Sequence, residues 1–239
     1  MFDVTPLGYQ SSLFNQIPAL VHGYSTKSAG DMRKPSNQEA WLTAMGTSVA
    51  SLVLGEQIHS AVAAVVDDVP PGEIAGVDGL VTGQKGITLG VVAADCAPLL
   101  LADVKKGVAA AAHAGWRGTL EGIAPVCIKK MIDAGASASD IIVSIGPHIG
   151  MCCYSVPQDR AEKFQAAFGS DPKIATHIEG TWHLDIGYVN ALQLTGAGVL
   201  PEHIDAPVVC TSCQSDIFYS YRKDPKESFG EILGVIALV

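Results

Sequence analysis

A thiol and an imidazole are the side chains of this sequence best suited to chemistry. Cys96 and His113 lie within one apolar stretch, Val91–Gly118, which reads VVAADCAPLLLADVKKGVAAAAHAGWRG. Thiolate and imidazole groups bind zinc, and they also serve as nucleophile and base in cysteine-dependent enzymes. A buried free cysteine and a hydrogen-bonded core histidine are the structural alternative. Either kind of chemistry requires that the chain bring the two residues together.

Two apolar runs around a polar loop predict a β-hairpin between these residues. The runs are Pro98–Asp103 and Gly107–His113, and the loop is Val104–Lys106. If Asp103 pairs with Val108, then Pro98 pairs with His113, and Cys96 lies one pleat beyond on the same face. Diagonal neighbours across a hairpin lie roughly 7–8 Å apart. This register therefore brings thiol and imidazole together, whereas a slip by one residue would place them on opposite faces.

A carboxylate and a guanidinium flank the pair. Asp95 directly precedes Cys96, and Gly115-Trp116-Arg117-Gly118 follows the second strand and opens a helix-like segment. Free backbone N–H groups at a helix start and an arginine side chain both favour an anion. The sequence thus gathers a thiol, an imidazole, a carboxylate and a guanidinium in one place.

A catalytic zinc site needs a third protein ligand and one open position. His59 is a suitable donor at the start of a predicted strand, Ile58–Val66, but spacing alone does not join it to Cys96 and His113. Two other interpretations stay open. A hydrolase would use Cys96 as nucleophile and His113 as base, and a structural zinc site would need a fourth ligand, for which Cys152 or Cys153 remains possible.

The remaining cysteines give weaker signals. Cys210-Thr211-Ser212-Cys213 is a CxxC without a second half or a thioredoxin-like context, so we expect a structural or incidental pair. Cys152 and Cys153 are predicted to be small buried hydrophobes. Six cysteines in 239 residues form no disulfide framework.

Composition limits the classes of partner. A formal net charge of −9 argues against nucleic acids and anionic membranes, although a local arginine still permits a small anionic ligand. Hydrophobic residues make up 48% of the chain and charged residues 16%, which predicts an extensive core. The first ten residues show no signal peptide, and no apolar run reaches membrane-spanning length. We expect a cytoplasmic protein, a monomer or a weak homodimer.

Strands and helices alternate irregularly, which predicts an α+β fold in a single domain over residues 1–239. Helices are expected from a capping box at Ser36–Glu39 to Ala44, after Arg117 with a kink or start at Pro125, from Pro157 to Gly169, and over Ile186–Thr195. Further strands are expected at Ala19–Ser25, Ser51–Leu54, Asp78–Thr82, Ile87–Ala93, Ile141–Ile145, Trp182–Asp185, Pro207–Cys210, Phe218–Tyr221 and Ile232–Val239.

Several motifs together resemble the YfiH/LACC1 family of purine nucleoside phosphorylases, formerly labelled polyphenol oxidases or laccases. They occur in family order along nearly the whole chain, and the His-Ala-Gly-Trp-Arg-Gly block is highly specific. The motifs are Ala94–Pro98, His113–Gly118 and Gly146–Gly150, supported by Gln57–His59, Asp78–Thr82, Cys152–Tyr154, Leu184-Asp185 with Asn190, Cys210-Thr211 and Phe218–Arg222.

The resemblance implies a mixed β-sandwich core flanked by helices, distantly similar to cysteine-dependent glutamine deamidase toxins. It implies that His59, Cys96 and His113 bind one Zn²⁺, and that purine nucleoside and phosphate are the substrates. The implied activity is phosphorolysis of adenosine, inosine and methylthioadenosine, with adenosine deamination beside it. Copper-dependent polyphenol oxidation is the less favoured alternative, because the sequence has no His-x-His pair.

The positions of three further residues suggest catalytic roles for them if the chain acts as this family does. Arg117 would clamp phosphate, Asp95 would shuttle protons or orient a ligand histidine, and Gln57 would hydrogen-bond the base. Four positions depart from the usual pattern, which bears on phosphate affinity because lysine is a point charge and not a bidentate fork. These are Lys27 and Lys223 in place of arginine, Ser155 in place of glutamate, and Glu231 in a Phe-Gly-Glu that replaces Thr-Gly-Arg.

Overall fold

Two six-stranded β-sheets packed face to face form the centre of the molecule. The computed structural model describes residues 1–239. Its strands are β1 (Phe2–Thr5), β2 (Gly8–Ser11), β3 (Leu20–Tyr24), β4 (Leu52–Val53), β5 (Ala63–Val65), β6 (Gly79–Thr82), β7 (Thr88–Ala93), β8 (Ala97–Asp103), β9 (Val108–Ala114), β10 (Ile142–Ile145), β11 (Ser155–Val156), β12 (Ala175–Ile178), β13 (Thr181–Leu184), β14 (Ile204–Asp205) and β15 (Ile232–Leu238). The first sheet has the order β1-β2-β3-β15-β7-β4 and the second β14-β10-β8-β9-β6-β5, while β11-β13-β12 form a small separate sheet.

The hairpin β8–β9 forms in the predicted register. Asp103 pairs with Val108 and Pro98 with His113 in an antiparallel ladder. Every residue of both strands is buried, which explains why the two runs are continuously apolar rather than alternating. Alternate side chains of β8 enter different cores: Leu100 packs between the two sheets, whereas Leu99 faces the helices. Each fully buried leucine of this kind contributes about 1.5–3 kcal/mol.

Helices cover the outer faces of both sheets. They are α1 (Pro35–Ala44), α2 (Trp116–Glu121), α3 (Ile123–Asp133), α4 (Gln158–Phe168) and α5 (Ile186–Gly196). The largest core lies between the second sheet and α3, α4 and α5, and a smaller one between the first sheet and α1. The expected α+β fold, a mixed sandwich flanked by helices, is confirmed. None of the helices combines the length and the apolar character needed to cross a bilayer.

The segment after the hairpin is two helices rather than one. Gly122 adopts a left-handed conformation with φ 88° and separates α2 from α3. Pro125 consequently lies in the first turn of α3, where its missing N–H breaks no helical hydrogen bond. The prediction that the regular helix starts around this proline is therefore confirmed. The same proline-first, glycine-last pattern bounds α4, between Pro157 and Gly169.

Four local expectations are wrong. The capping box expected at Ser36–Glu39 does not start the first helix. α1 begins at Pro35, whose ring fixes the first helical φ, and the side chain of Lys34 before it makes no capping bond. Of the strand expected at Ile58–Val66 only β5 forms. Neither Pro207–Cys210 nor Phe218–Tyr221 forms a strand. The apolar side chain of Phe218 is fully buried in a small cluster with Ile232 and does not lie in a sheet.

Candidate functional site

The thiol and two imidazoles meet at the open end of the β8–β9 hairpin. The ligand atoms of His59, Cys96 and His113 all lie within 4.8 Å of one another. The two imidazole rings are 4.8 Å apart between centroids and nearly perpendicular, at 85°. Gly115 permits this approach, since a Cβ there would lie 2.9 Å from His59 Cδ2 and 3.0 Å from Cys96 Sγ. The structure thus joins His59 to the pair that the hairpin register brought together.

Asp78, to which the sequence assigned no role of its own, holds both imidazole-bearing segments. Its carboxylate accepts hydrogen bonds from His113 Nδ1 at 2.8 Å and from the backbone N–H groups of His59 and Ser60 at 3.0 and 2.7 Å. His59 has φ 63°, a conformation that costs a non-glycine residue about 1–3 kcal/mol unless its surroundings impose it. The bond to Nδ1 leaves Nε2 of His113 available as a ligand. The sequence signals were its place at the head of the Asp78–Thr82 motif and its position directly before β6, the neighbour of β9.

Cys96, His113 and Asp78 perturb one another electrostatically. Burial raises the pKa of the Cys96 thiol, but the charge of His113 and hydrogen bonds from both histidines outweigh it and lower the pKa to about 7. Burial lowers the pKa of His113, whereas Cys96 and Asp78 raise it to about 10. Burial opposes ionisation of Asp78, yet hydrogen bonds from His113 and Ser60 lower its pKa to about 2. The site therefore favours a thiolate, the form of cysteine that binds metal ions.

A cavity of about 700 Å³ opens over the three residues. Its volume lies within the range typical of small-molecule sites. Its walls combine aromatic surface with two guanidinium groups and acidic side chains, and include Trp116, Tyr154, Phe229, Arg160, Arg222 and Glu231. Burial raises the pKa of Glu231 above its ordinary value. The aromatic rings suit a flat, apolar ligand, and the two guanidinium groups offer donors to an anionic group.

Gln57 and Asp95 line the cavity, but their polar atoms already have protein partners. The Gln57 amide exchanges two hydrogen bonds with the backbone of Val92, at 2.7 and 2.9 Å. The Asp95 carboxylate accepts from Thr211 Oγ1 at 2.6 Å and from the backbone N–H of Arg222 at 2.7 Å. Asp95 has φ 83° and braces the two segments of chain that it contacts. The carboxylate that contacts a candidate ligand histidine is that of Asp78, which is hydrogen-bonded to His113.

The Arg117 side chain is exposed and does not line the cavity. Its guanidinium lies 5.2 Å from the centroid of the Trp116 ring. Its anion-binding role stays a prediction, without a contact in the cavity to support it. Two arginines that the sequence analysis did not assign, Arg160 and Arg222, supply the positive charge of the lining.

These two arginines are held against aromatic rings. The Arg160 guanidinium stands 4.1 Å from the Trp116 centroid, and that of Arg222 stands 5.3 Å from the Tyr154 centroid. Arg222 also donates to the backbone oxygen and the hydroxyl of Ser155, at 2.9 and 3.0 Å. Stacking on a ring restricts an arginine while leaving N–H donors for a ligand. Arg222 lies in a motif of the resemblance, whereas Arg160 carried no local signal.

The structure shows the surroundings of two of the four residues that depart from the usual family pattern. Lys27 donates to the backbone oxygen of Ser215 at 2.5 Å and to Asp224 Oδ1 at 2.9 Å, so its charge serves a loop contact. Glu231 lines the cavity and places a carboxyl group there.

Comparison with known proteins agrees with this geometry. The family model described as "Multi-copper polyphenol oxidoreductase laccase" matches residues 26–239. A solved structure, the hypothetical protein YfiH of Bacillus licheniformis, superimposes with a TM-score of 0.89 at 26% identity over 100% of this chain and 99% of its own.

Three curated relatives have enzymatic names. Purine nucleoside phosphorylase SCO2081 of Streptomyces coelicolor is 36% identical over 85% of this chain and 81% of its own length. Adenosine deaminase RL5, from an unknown prokaryotic organism, is 35% identical over 75% and 72%. Purine nucleoside phosphorylase LACC1 of Mus musculus is 35% identical over 67% of this chain, and the match spans only 38% of that relative. The resemblance inferred from the motifs is confirmed, and the chain belongs to the YfiH family, whose model bears the polyphenol oxidoreductase laccase description.

Proposed function

We propose that this chain is a zinc-dependent purine nucleoside phosphorylase acting on adenosine, inosine and methylthioadenosine, with adenosine deamination as a second activity. The observation that carries the proposal is a set of one thiol and two imidazoles facing a cavity lined by aromatic rings and two arginines. The names of relatives SCO2081 and RL5 support the two activities. Nucleoside and phosphate are accordingly the proposed partners.

The donor set fits a catalytic metal site. His59, Cys96 and His113 supply three ligands, and the cavity beside them leaves a fourth position for water or substrate. One sulfur and two nitrogen donors suit zinc, whereas a blue-copper centre adds a weak axial ligand that is usually methionine, and no methionine lines this cavity. Zinc supplies Lewis-acid catalysis and lowers the pKa of a bound water toward about 7.

The cavity walls would bind the two substrates in distinct ways. Tyr154, Tyr221 and Phe229 offer ring faces for a purine. Arg160 and Arg222 offer charge-assisted hydrogen bonds to phosphate, which stabilise the anion as it adds to the anomeric carbon of ribose. The bond between that carbon and the purine nitrogen breaks, and the purine leaves with the electron pair. Deamination needs water rather than phosphate and makes no demand on the arginines.

Glu231 is the carboxyl group in the cavity best suited to carry a proton. Burial raises its pKa, which brings the neutral acid closer to neutral pH than in an exposed glutamate. A protonated Glu231 would donate its proton to the departing purine and would take another from solvent water before the next turnover. Asp95 is the less suited group, because both of its oxygens accept short hydrogen bonds from the protein.

One arrangement favours a second candidate function, a cysteine hydrolase. Cys96, His113 and Asp78 follow one another as thiol, imidazole and carboxylate, and the thiol pKa is lowered to about 7. This is the order of nucleophile, base and orienting group. Both functions involve His59, as a hydrogen-bond partner of the thiol in the hydrolase and as a ligand in the zinc enzyme, but only the zinc enzyme depends on a metal ion. Chelation together with His59→Ala therefore separates the two functions.

The test measures metal content and turnover of adenosine with phosphate. The zinc enzyme predicts about one zinc at this site, release of adenine and ribose 1-phosphate, and loss of zinc and activity in His59→Ala. Arg222→Ala should weaken the phosphate dependence by roughly 10- to 150-fold, the equivalent of about 1.5–3 kcal/mol, and leave deamination nearly unchanged. Lys129→Ala, which removes an exposed cation of α3 outside the cavity, is the control. Turnover that survives both chelation and His59→Ala would refute the zinc dependence.

A further inference from the structure

A second group of cysteines lies outside the catalytic cavity. Cys152, Cys153, Cys210 and Cys213 have sulfur atoms that all lie within 4.8 Å of one another. Cys213 Sγ is 3.5 Å from Cys152 Sγ and 3.4 Å from Cys153 Sγ. The expectation that Cys152 is a buried hydrophobe is wrong, since it is exposed, and the CxxC has the second half that the sequence did not reveal.

Two backbone segments bring the four thiols together. The loop after β10 contains the Cys-Cys pair, and the loop after β14 contains the CxxC. The loops bridge at His148 and Cys210, where the N–H of His148 donates to Val209 and the N–H of Thr211 donates to His148, at 3.1 and 3.0 Å. The N–H of Gly150 points to Cys210 Sγ at 3.3 Å, a contact that favours a thiolate acceptor. Backbone bonds therefore hold the thiols close together.

We propose that Cys152, Cys153, Cys210 and Cys213 bind one structural Zn²⁺ ion. Zinc–sulfur bonds of about 2.3 Å in a tetrahedron place the sulfurs about 3.8 Å apart, close to the separations here. A disulfide needs about 2.05 Å between the sulfurs, so these thiols are not bonded to one another. An iron–sulfur cluster must fit several iron and sulfide atoms among its ligands and needs a wider cage than 4.8 Å.

Four protein ligands close this site, which makes it structural rather than catalytic. Its effect would be to fasten two cavity-wall segments to each other. Ile149, beside the Cys-Cys pair, lines the cavity and donates its N–H to the backbone of Asp95 at 2.9 Å. Thr211, inside the CxxC, donates to the Asp95 carboxylate. The ion would thus stabilise the backbone next to Cys96 without taking part in the reaction.

Metal counting separates this site from the catalytic one. Wild-type protein purified under reducing conditions should contain about two zinc ions per chain, and Cys213→Ser and His113→Ala about one each. Cys127→Ala, which changes a free cysteine of the helix-facing core, is the control and should keep both ions. Phosphorolysis should persist in Cys213→Ser, with a lower melting temperature, and disappear in His113→Ala.

X-ray absorption at the zinc edge identifies the ligands without depending on the Cys213 variant. In His113→Ala the remaining zinc should be coordinated by about four sulfur atoms. If His113→Ala contains no zinc, or zinc bound by nitrogen and oxygen, the structural site does not exist. A wild-type count of about one, unchanged by Cys213→Ser, also overturns the proposal. Neither outcome affects the proposed function, whose failure would instead appear as a wild-type count of about one zinc that Cys213→Ser abolishes and His113→Ala leaves unchanged.

Discussion

Asp78→Asn tests whether one buried carboxylate organises the candidate metal site. The substitution keeps the shape of the side chain and replaces one oxygen with an N–H₂ donor. In the native structure the two oxygens accept from His113 Nδ1 and from the backbone N–H groups of Ile58, His59 and Ser60. An asparagine would therefore place its N–H₂ group against one of these donors. Because two donors repel each other, either the imidazole of His113 or the loop that carries His59 would be displaced.

The expected magnitude follows from these contacts. The Asp78 side chain is completely buried, so at least one donor is left unsatisfied, at a cost of about 1–3 kcal/mol in unfolding free energy. Removing a group that orients a ligand histidine typically weakens metal binding by about 10- to 100-fold. That fold-change corresponds to about 1.4–2.7 kcal/mol of metal-linked stability. The metal-bound protein should therefore lose more stability than the metal-free protein does.

Competition with a coloured chelator gives the zinc affinity, and melting curves of metal-free and metal-loaded protein give the stability. Asp103→Asn is the matched control, because Asp103 is also fully buried and accepts backbone N–H bonds, from Lys106 and Ser137, at the far end of the hairpin. It should lower both melting temperatures equally and leave zinc affinity unchanged. Wild-type zinc affinity in a folded Asp78→Asn protein would refute the organising role.

Three further outcomes are expected. Burial lowers the pKa of His22 from its ordinary 6.5 to about 4, so between these pH values the unfolded chain binds a proton that the folded chain does not. The free energy of unfolding should therefore fall by about 3 kcal/mol between pH 6.5 and pH 4 in urea titrations, and it should fall less in His22→Leu. Gly115→Ala pushes a methyl group against His59 and Cys96 and should lower zinc affinity by at least about tenfold in the chelator assay, whereas Gly86→Ala, in open space, should not. Alkylation of Cys96, followed by mass spectrometry, should be slow in metal-loaded protein and fast after chelation; equal rates would contradict its assignment as a ligand.

Local sequence determined the elements around the site. The polar loop between two apolar runs set the register of β8 and β9, because a slip by one residue would exchange the side chains that face the two cores. Prolines and glycines bounded α4 for the same kind of local reason. The early hairpin β1–β2 was not predicted, since its short strands alternate too weakly to show a period.

Tertiary structure decided which distant residues share the site. His59 joins Cys96 and His113 because Asp78, which contacts both histidine segments, fixes its loop in a left-handed conformation. Arg160 reaches the cavity by stacking on Trp116, a contact between two helices that no spacing encodes. The four-cysteine cluster likewise depends on two loops about sixty residues apart, paired by backbone hydrogen bonds. Residue types indicated which chemistry is possible, but these long-range contacts, which form only when the sheets pack, decided where each group lies.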